Sequence, residues 1–316
     1  MGTRWHVTYI ADSDGLVRGE AQAGIEALLE EVNDSMSTYR EDSEISRFNS
    51  GALTLPWQPS KDFWQVLKAA LMVGELSGGA YDVTVGPLVR RWGFGPDAPA
   101  PGLPQPAELE QLMATVGQRF LLVDEQARTL SSERPMELDF SSLAKGYAVD
   151  RVAEFLAARG VEDYMVEVGG EIRAAGQSPR GDLWRIAIET PDGRAGVAAA
   201  LELEDAAVAT SGDYRNFFER DGKRYSHTLD PRTGAPVEHG LVSVTVLHEQ
   251  AMLADAWATA LSVLGPDAGM AVAKEQGLAV YFISRQGERL EPAYTEGFTR
   301  ALKQGLGSAS SEGDSL

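Results

Sequence analysis

The chain has 316 residues, 43% of them hydrophobic, which is enough to bury a sizeable core in one large domain or two closely packed halves. Lys and Arg number 28 against 47 Asp and Glu, a formal net charge of -19, and a surface of that sign repels nucleic acid and anionic lipid. There is no cysteine, which excludes disulfides, thiolate-bound zinc, iron–sulfur clusters and a cysteine nucleophile.

In chain order, Trp5 to Ile10 alternates and reads as a strand, and Gly19 to Ser35 reads as an amphipathic helix with Ile25, Leu28, Leu29 and Val32 on one side. The segment from Asp42 to Asn49 reads as a short capped helix, and Ser60 caps a longer one that stops at Gly78-Gly79. Tyr81 to Val85 reads as a short strand. Residues 94–106 hold five prolines and read as a loop, and Pro106 opens a helix to about Val116. Paired strands are expected around Phe120–Val123 and Met136–Asp139, then a helix from Ala144 to Arg159 closed by Gly160. Tyr164–Val168, Ile172–Ala175, Trp184–Glu189 and Ala199–Leu203 read as strands. Asp221-Gly222 predicts a hairpin turn, and the segment from Asp230 to Gly234 a second turn. Val242–Leu247 and Leu278–Ser284 read as strands on either side of a helix over Ala251–Leu264. The Gly/Ser-rich tail, residues 305–316, is expected to be disordered behind a single domain over 1–304. The elements mix without strict alternation, so the fold class is α+β. No apolar run approaches the roughly 20 residues of a transmembrane helix, and no signal peptide is visible.

Four segments carry polar groups that a plain core would not. In Leu138-Asp139-Phe140-Ser141-Ser142-Leu143-Ala144-Lys145-Gly146-Tyr147 a strand ends and a helix begins, and a helix N-terminus attracts anions. Lys145 is out of place in that first turn by the macrodipole rule, which points to an anionic partner; a capped junction with a solvated lysine is the other reading. In Leu253-Ala254-Asp255-Ala256-Trp257-Ala258-Thr259, Asp255 and Thr259 share a helix face and suit a hard cation such as magnesium. The other reading makes Asp255 the helix cap and bonds Thr259 to its own backbone. In the segment from Tyr225 to Gly234, His227 leads into a tight turn and is placed to take a proton from an alcohol, or is structural. In Gly78-Gly79-Ala80-Tyr81-Asp82-Val83, the glycines allow close approach of a flat or phosphorylated ligand, which Tyr81 can stack on and Asp82 can bond, or they only stop a helix. There is no G-x-G-x-x-G, Walker A, H-E-x-x-H or G-x-S-x-G pattern.

Taken together, these segments resemble the ApbE family of FAD:protein FMN transferases. The resemblance is carried by the stretch from Met36 to Asn49, the stretch from Gly79 to Leu88, Trp92-Gly93-Phe94-Gly95, Ala144-Lys145-Gly146-Tyr147-Ala148, Val168-Gly169-Gly170-Glu171, Thr210-Ser211-Gly212-Asp213-Tyr214-Arg215-Asn216, Ser226 to Gly234, and Ala254 to Thr259. It runs from Met1 to about residue 300. It implies an α+β fold related to the T-fold, with two closely packed subdomains and the flavin site between them. It implies that Met1, Tyr39, Ala80, Tyr81, Asp82, Asp139, Lys145 and Leu229 line the FAD site. Asp255 and Thr259 are implied to bind Mg2+ with an oxygen from the Ser142–Ala144 turn, either the Ser142 hydroxyl or the Ala144 carbonyl. His227 lies in the motif that supplies the base.

The implied reaction is Mg-dependent transfer of FMN from FAD to a threonine hydroxyl of an acceptor protein, releasing AMP. The implied acceptors are membrane redox subunits carrying a threonine flavinylation motif. The resemblance also implies export to the periplasm, tethered to the inner membrane as a lipoprotein by a leader that this chain does not contain. One alternative keeps the same site with water as acceptor, an FAD pyrophosphatase; the other, a flavin-binding protein without turnover, needs FAD contacts but no base and no metal, and Asp255, Thr259 and His227 together argue against it.

Overall fold

The opening alternation becomes a strand, β1 (Trp5–Tyr9), and the amphipathic segment after it becomes α1 (Arg18–Met36), which buries Ile25, Leu29 and Val32. The structure is a computed structural model and describes residues 2–11, 15–95, 102–191, 196–212, 217–220, 222–287 and 289–305. Ser43 caps α2 (Glu44–Asn49) by accepting from the Ser46 amide, and Ser60 caps α3 (Lys61–Leu76) through the Phe63 amide. Gly78 and Gly79, with φ of 63° and 79°, end that helix. Helices α4 (Gly86–Arg91) and α5 (Pro106–Met113) both carry proline in the first turn. A hairpin pairs β2 (Leu121–Asp124) with β3 (Thr129–Ser132). Helix α6 (Ala144–Ala157) is followed by β4 (Tyr164–Val168), β5 (Glu171–Ala175), β6 (Trp184–Glu189), β7 (Val197–Leu203) and β8 (Ala206–Gly212). Two small hairpins come next, β9 (Phe217–Arg220) with β10 (Lys223–Ser226) and β11 (Leu229–Asp230) with β12 (Ala235–Pro236). The chain finishes with β13 (Leu241–His248), α7 (Ala251–Glu275), β14 (Ala279–Gln286), β15 (Arg289–Tyr294) and α8 (Glu296–Gly305).

The main sheet has the order β1-β4-β5-β8-β13-β14-β15, and every neighbouring pair in it is antiparallel. Strand alternation sends residues to opposite faces. On β14, Val280 and Phe282 join the core beneath α1, α3, α6 and α7, whereas Tyr281 and Ile283 join a second core under the β6–β7 hairpin and α8. A third cluster, built on Leu88, Trp92, Val116 and Leu229, ties α4 and α5 to the two small hairpins. Mixed helices around an antiparallel sheet make the fold α+β, as the sequence predicts.

The structure departs from the expected elements in places. Tyr81–Val85 is not a strand: Asp82 Oδ1 accepts from the Thr84 amide at 2.8 Å and its hydroxyl at 2.6 Å, which folds the segment into a turn. The partner of β2 is β3 rather than Met136–Asp139, because that later segment spends its backbone groups elsewhere. Leu138 exchanges hydrogen bonds with the Asn49 side chain, and the Asp139 amide donates to the Val83 carbonyl. Helix α7 continues past Leu264 after a break at Gly265 (φ 79°, ψ -177°) ahead of Pro266. Strands β8 and β15 and helix α8 lie outside the sequence reading, and residues 306–316 lie outside the described residues.

Candidate active site

The site begins where α6 and α7 touch. A Cβ on Gly146 would lie 2.2 Å from the Ala251 carbonyl oxygen, so only glycine permits this approach of the two backbones. Asp150, one turn further along α6, caps α7 by accepting from the Ala251 amide at 3.0 Å and the Met252 amide at 2.9 Å. Arg173 holds Asp150 at 2.7 Å. Asp255 is therefore not the cap of its own helix. Its carboxylate reaches across to α6 and accepts from the Gly146 amide at 3.2 Å and from Lys145 Nζ at 3.1 and 3.2 Å. Lys145 Nζ also lies 3.0 Å from Glu171 Oε1. Glu171 opens β5 directly after Gly169 and Gly170, whose φ values of 65° and 104° suit glycine. The anionic partner that Lys145 seemed to need is this pair of carboxylates.

Burial sets the electrostatics of this corner. Desolvation, then the neighbouring Asp255 charge, push the Glu171 carboxyl up to about 8. Desolvation also moves Asp255 above the usual carboxylate range, against the pull of Lys145 and the Gly146 amide. For Lys145 desolvation opposes the charge, but Asp255 and Glu171 outweigh it, so the ammonium is held.

Around this corner opens a cleft of about 1010 Å³. Its walls bring together Ala80, Tyr81, Asp82, Asp139, Ser142, Lys145, His227, Leu229, Asp255 and Thr259. Tyr81 and Ser142 share a hydroxyl hydrogen bond of 2.8 Å, and Thr259 pairs with Ser211 on β8 at 3.3 Å. The backbone-only reading of Thr259 therefore gives way to a side-chain contact within the cleft. Asp139 Oδ1 takes the Ser141 amide at 2.8 Å and turns the chain into α6. Asp82 uses both oxygens inside the protein, one on Thr84 and the other on the Gln118 amide at 2.9 Å, so it braces the cleft wall.

His227 stands at the far end, edge-on to Phe94 with ring centroids 6.2 Å apart. Phe94 leads into a row of rings, 5.5 Å to Phe218, 5.1 Å from there to Tyr225, and 5.8 Å on to Trp92. His227 and Phe94 also border a second cavity of about 680 Å³. Tyr39 lines that cavity, 72% exposed, rather than the first. Ala144 is packed into the core at the start of α6. Met1 and Asp213–Asn216 lie outside the described residues.

Sequence reasoning gave no role to Glu171, Ser211 or Asp150. Glu171 had a signal, a carboxylate behind two glycines at a strand start. Asp150 had none, since its partners are about a hundred positions away.

The oxygens gathered here are hard donors, the Asp255 carboxylate and the Ser142 and Thr259 hydroxyls, with Glu171 Oε2 behind them, buried and with no hydrogen-bond partner among the described residues. Such a set fits magnesium, which typically takes one or two carboxylates and completes its shell with water and phosphate. Among the described residues no three His, Cys, Asp or Glu side chains converge as a metal-holding group.

The ApbE family profile matches residues 1–282. A relative from Vibrio cholerae serotype O1, described as FAD:protein FMN transferase, is 45% identical over 306 residues, spanning 96% of this chain and 91% of the relative. One from Haemophilus influenzae with the same description is 45% identical over 292 residues, 90% of this chain and 84% of the relative. The solved flavin transferase ApbE from Vibrio cholerae matches with a TM-score of 0.89 and 44% identity over 96% of each chain. The ApbE protein from Thermotoga maritima matches at 0.82 and 29% identity, over 94% of this chain and 95% of that one. With a family match over most of its length and a cleft formed by the segments that carry the resemblance, this chain belongs to the ApbE family.

Proposed function

We propose that this chain is an FAD:protein FMN transferase that moves FMN from FAD onto a threonine hydroxyl of an acceptor protein, releases AMP and requires magnesium. The relatives described as FAD:protein FMN transferases support the flavin transfer. The observation that carries the finer reading is the joining, in one cleft, of a buried Lys145–Asp255–Glu171 corner to His227.

FAD is a flavin and an adenosine joined by two phosphates. The acceptor oxygen forms a bond to the phosphorus on the riboflavin side, the bond to the bridging oxygen breaks, and AMP departs with the electron pair. Such a transfer depends on positioning and charge neutralisation more than on covalent help. Asp255 and Thr259, with Ser142 or the Ala144 carbonyl, would hold magnesium, which would supply positive charge to offset the diphosphate. Lys145 adds an ammonium at the same end, already oriented by two carboxylates. His227 takes the threonine proton. Tyr81, fixed to Ser142, and Ala80 present a close wall to a flat ring, while Asp82 keeps that wall in shape. Leu229 and Asp139 border the same space. Tyr39 reaches it from the neighbouring cavity.

Membrane redox subunits facing the periplasm are the acceptors that fit this reading. The test is a mass spectrum of such a subunit after incubation with the chain, FAD and Mg2+. The expected result is the mass of FMN on one threonine, lost when chelator is added. An unchanged acceptor beside released FMN and AMP would make the chain a pyrophosphatase instead, and intact FAD would leave it a flavin binder.

A further inference from the structure

At the buried corner of the cleft one ammonium is shared between two carboxyl groups. Lys145 brings one ammonium, whereas Asp255 and Glu171 bring two carboxylates whose side chains are only 4% and 5% exposed. Lys145 Nζ divides itself among three oxygens, at 3.1 and 3.2 Å to Asp255 and 3.0 Å to Glu171 Oε1. Asp255 has a further donor in the Gly146 amide at 3.2 Å. Glu171 Oε2, in the same cleft wall, has no protein donor among the described residues. A buried carboxyl oxygen without a hydrogen-bond partner costs free energy, and one ammonium shared between two buried carboxyl groups leaves Glu171 above the usual carboxylate range. A second cation at Asp255 would free the Lys145 ammonium to serve Glu171 alone.

We propose that Glu171 is a positioning residue of the metal site: it takes over the Lys145 ammonium when a divalent cation is bound at Asp255, so that lysine and cation face the diphosphate side by side. This rests on the reading of the cleft as a cation-assisted FAD site. In this structure Lys145 is the cation at Asp255. Glu171 lies within reach of the same ammonium and has an oxygen to spare, which gives Lys145 somewhere to go. Without Glu171 the ammonium stays on Asp255 and competes with the incoming ion.

The test is Mn2+ binding to the full chain without FAD or acceptor, followed by calorimetry and by the electron paramagnetic signal of free Mn2+. Glu171→Gln keeps the shape and is expected to weaken Mn2+ binding by about 10–100-fold, the range typical when a group behind the metal ligands is lost. Lys145→Gln removes the competing ammonium and is expected to tighten binding. In the Lys145→Gln background, adding Glu171→Gln is expected to change little, and this non-additivity separates exchange from a general loss of structure. Glu171→Asp is expected to restore part of the affinity.

Wild-type affinity in Glu171→Gln, or the same loss with and without Lys145, overturns the inference. Should Glu171→Gln fail to fold, Lys145→Gln decides alone, and unchanged or weaker Mn2+ binding overturns it. Mn2+ affinities in the stated order with no acceptor ever flavinylated would refute the proposed function and leave this inference standing. Intact flavinylation with flat Mn2+ affinities would refute only this inference.

Discussion

The two ends of the cleft are built on different principles. The closed end, Lys145, Asp255 and Glu171, is a set of charges fixed by backbone geometry: a helix contact that only Gly146 allows and a cap supplied by Asp150. The other end, His227 with Phe94, Phe218, Tyr225 and Trp92, is a set of rings in mutual contact between the end of α4 and the β9–β10 hairpin. The first handles charge, on two helices whose contact leaves no room for a side chain at position 146. The second handles shape and sits beside a second opening where another molecule can approach. On the proposed function, the charged end would serve the diphosphate of FAD and the ring-lined end the acceptor protein.

The sharpest way to break this division is His227→Ala. It is expected to slow FMN transfer by roughly 10²- to 10⁴-fold, the usual worth of a positioned base, while FAD affinity stays near wild type. Equal loss of both, read by flavin fluorescence titration beside single-turnover rates, would make His227 a structural part of the dinucleotide site. Gly146→Ala probes the other end. Its methyl meets backbone atoms of α7 that cannot step aside, so a stability loss of about 1–3 kcal/mol or more is expected in urea unfolding, with weaker Mn2+ binding. Wild-type stability would mean that the helix contact is looser than its geometry. The smallest effect is expected from Phe94→Leu. Losing its ring contacts costs about 0.5–1.5 kcal/mol. The change is expected to raise the acceptor KM while leaving Mn2+ affinity untouched, and a shift in Mn2+ affinity would erase the distinction between the ends.

Legibility in the sequence follows the same line. The helix carrying Lys145 declared itself through its periodicity and the Gly160 that closes it, and the helix carrying Asp255 and Thr259 through its apolar run, although neither has a capping side chain of its own. The small hairpin at His227 was announced by its Asp-Gly turn. What could not be read was the long-range pairing. Met136–Asp139 has the look of a strand, yet Asn49 and Val83, far away in the chain, take its backbone groups. Tyr81–Val85 has β-branched residues, but the Asx turn at Asp82 wins locally. Strand β8 follows β7 after a tight corner at Asp205, where a non-glycine residue adopts a φ of 48°, and so gave no turn signature. At the site, Asp255 looked like a helix cap until Asp150 was seen to hold that position from another helix. Tyr39, which the resemblance places at the FAD site, lines the adjoining cavity, which shares His227 and Phe94 with the cleft.

The fastening of α6 to α7 carries a consequence for motion. Three links join the heads of these helices: the close pass at Gly146, the Asp150 carboxylate on two α7 amides, and the Gly146 amide on Asp255. Opening either helix strips the cap from one or the donor from the other. The pair therefore unzips as one cooperative unit, and the Asp255 carboxylate keeps its place for as long as the two helix heads stay joined, whichever acid the Lys145 ammonium serves.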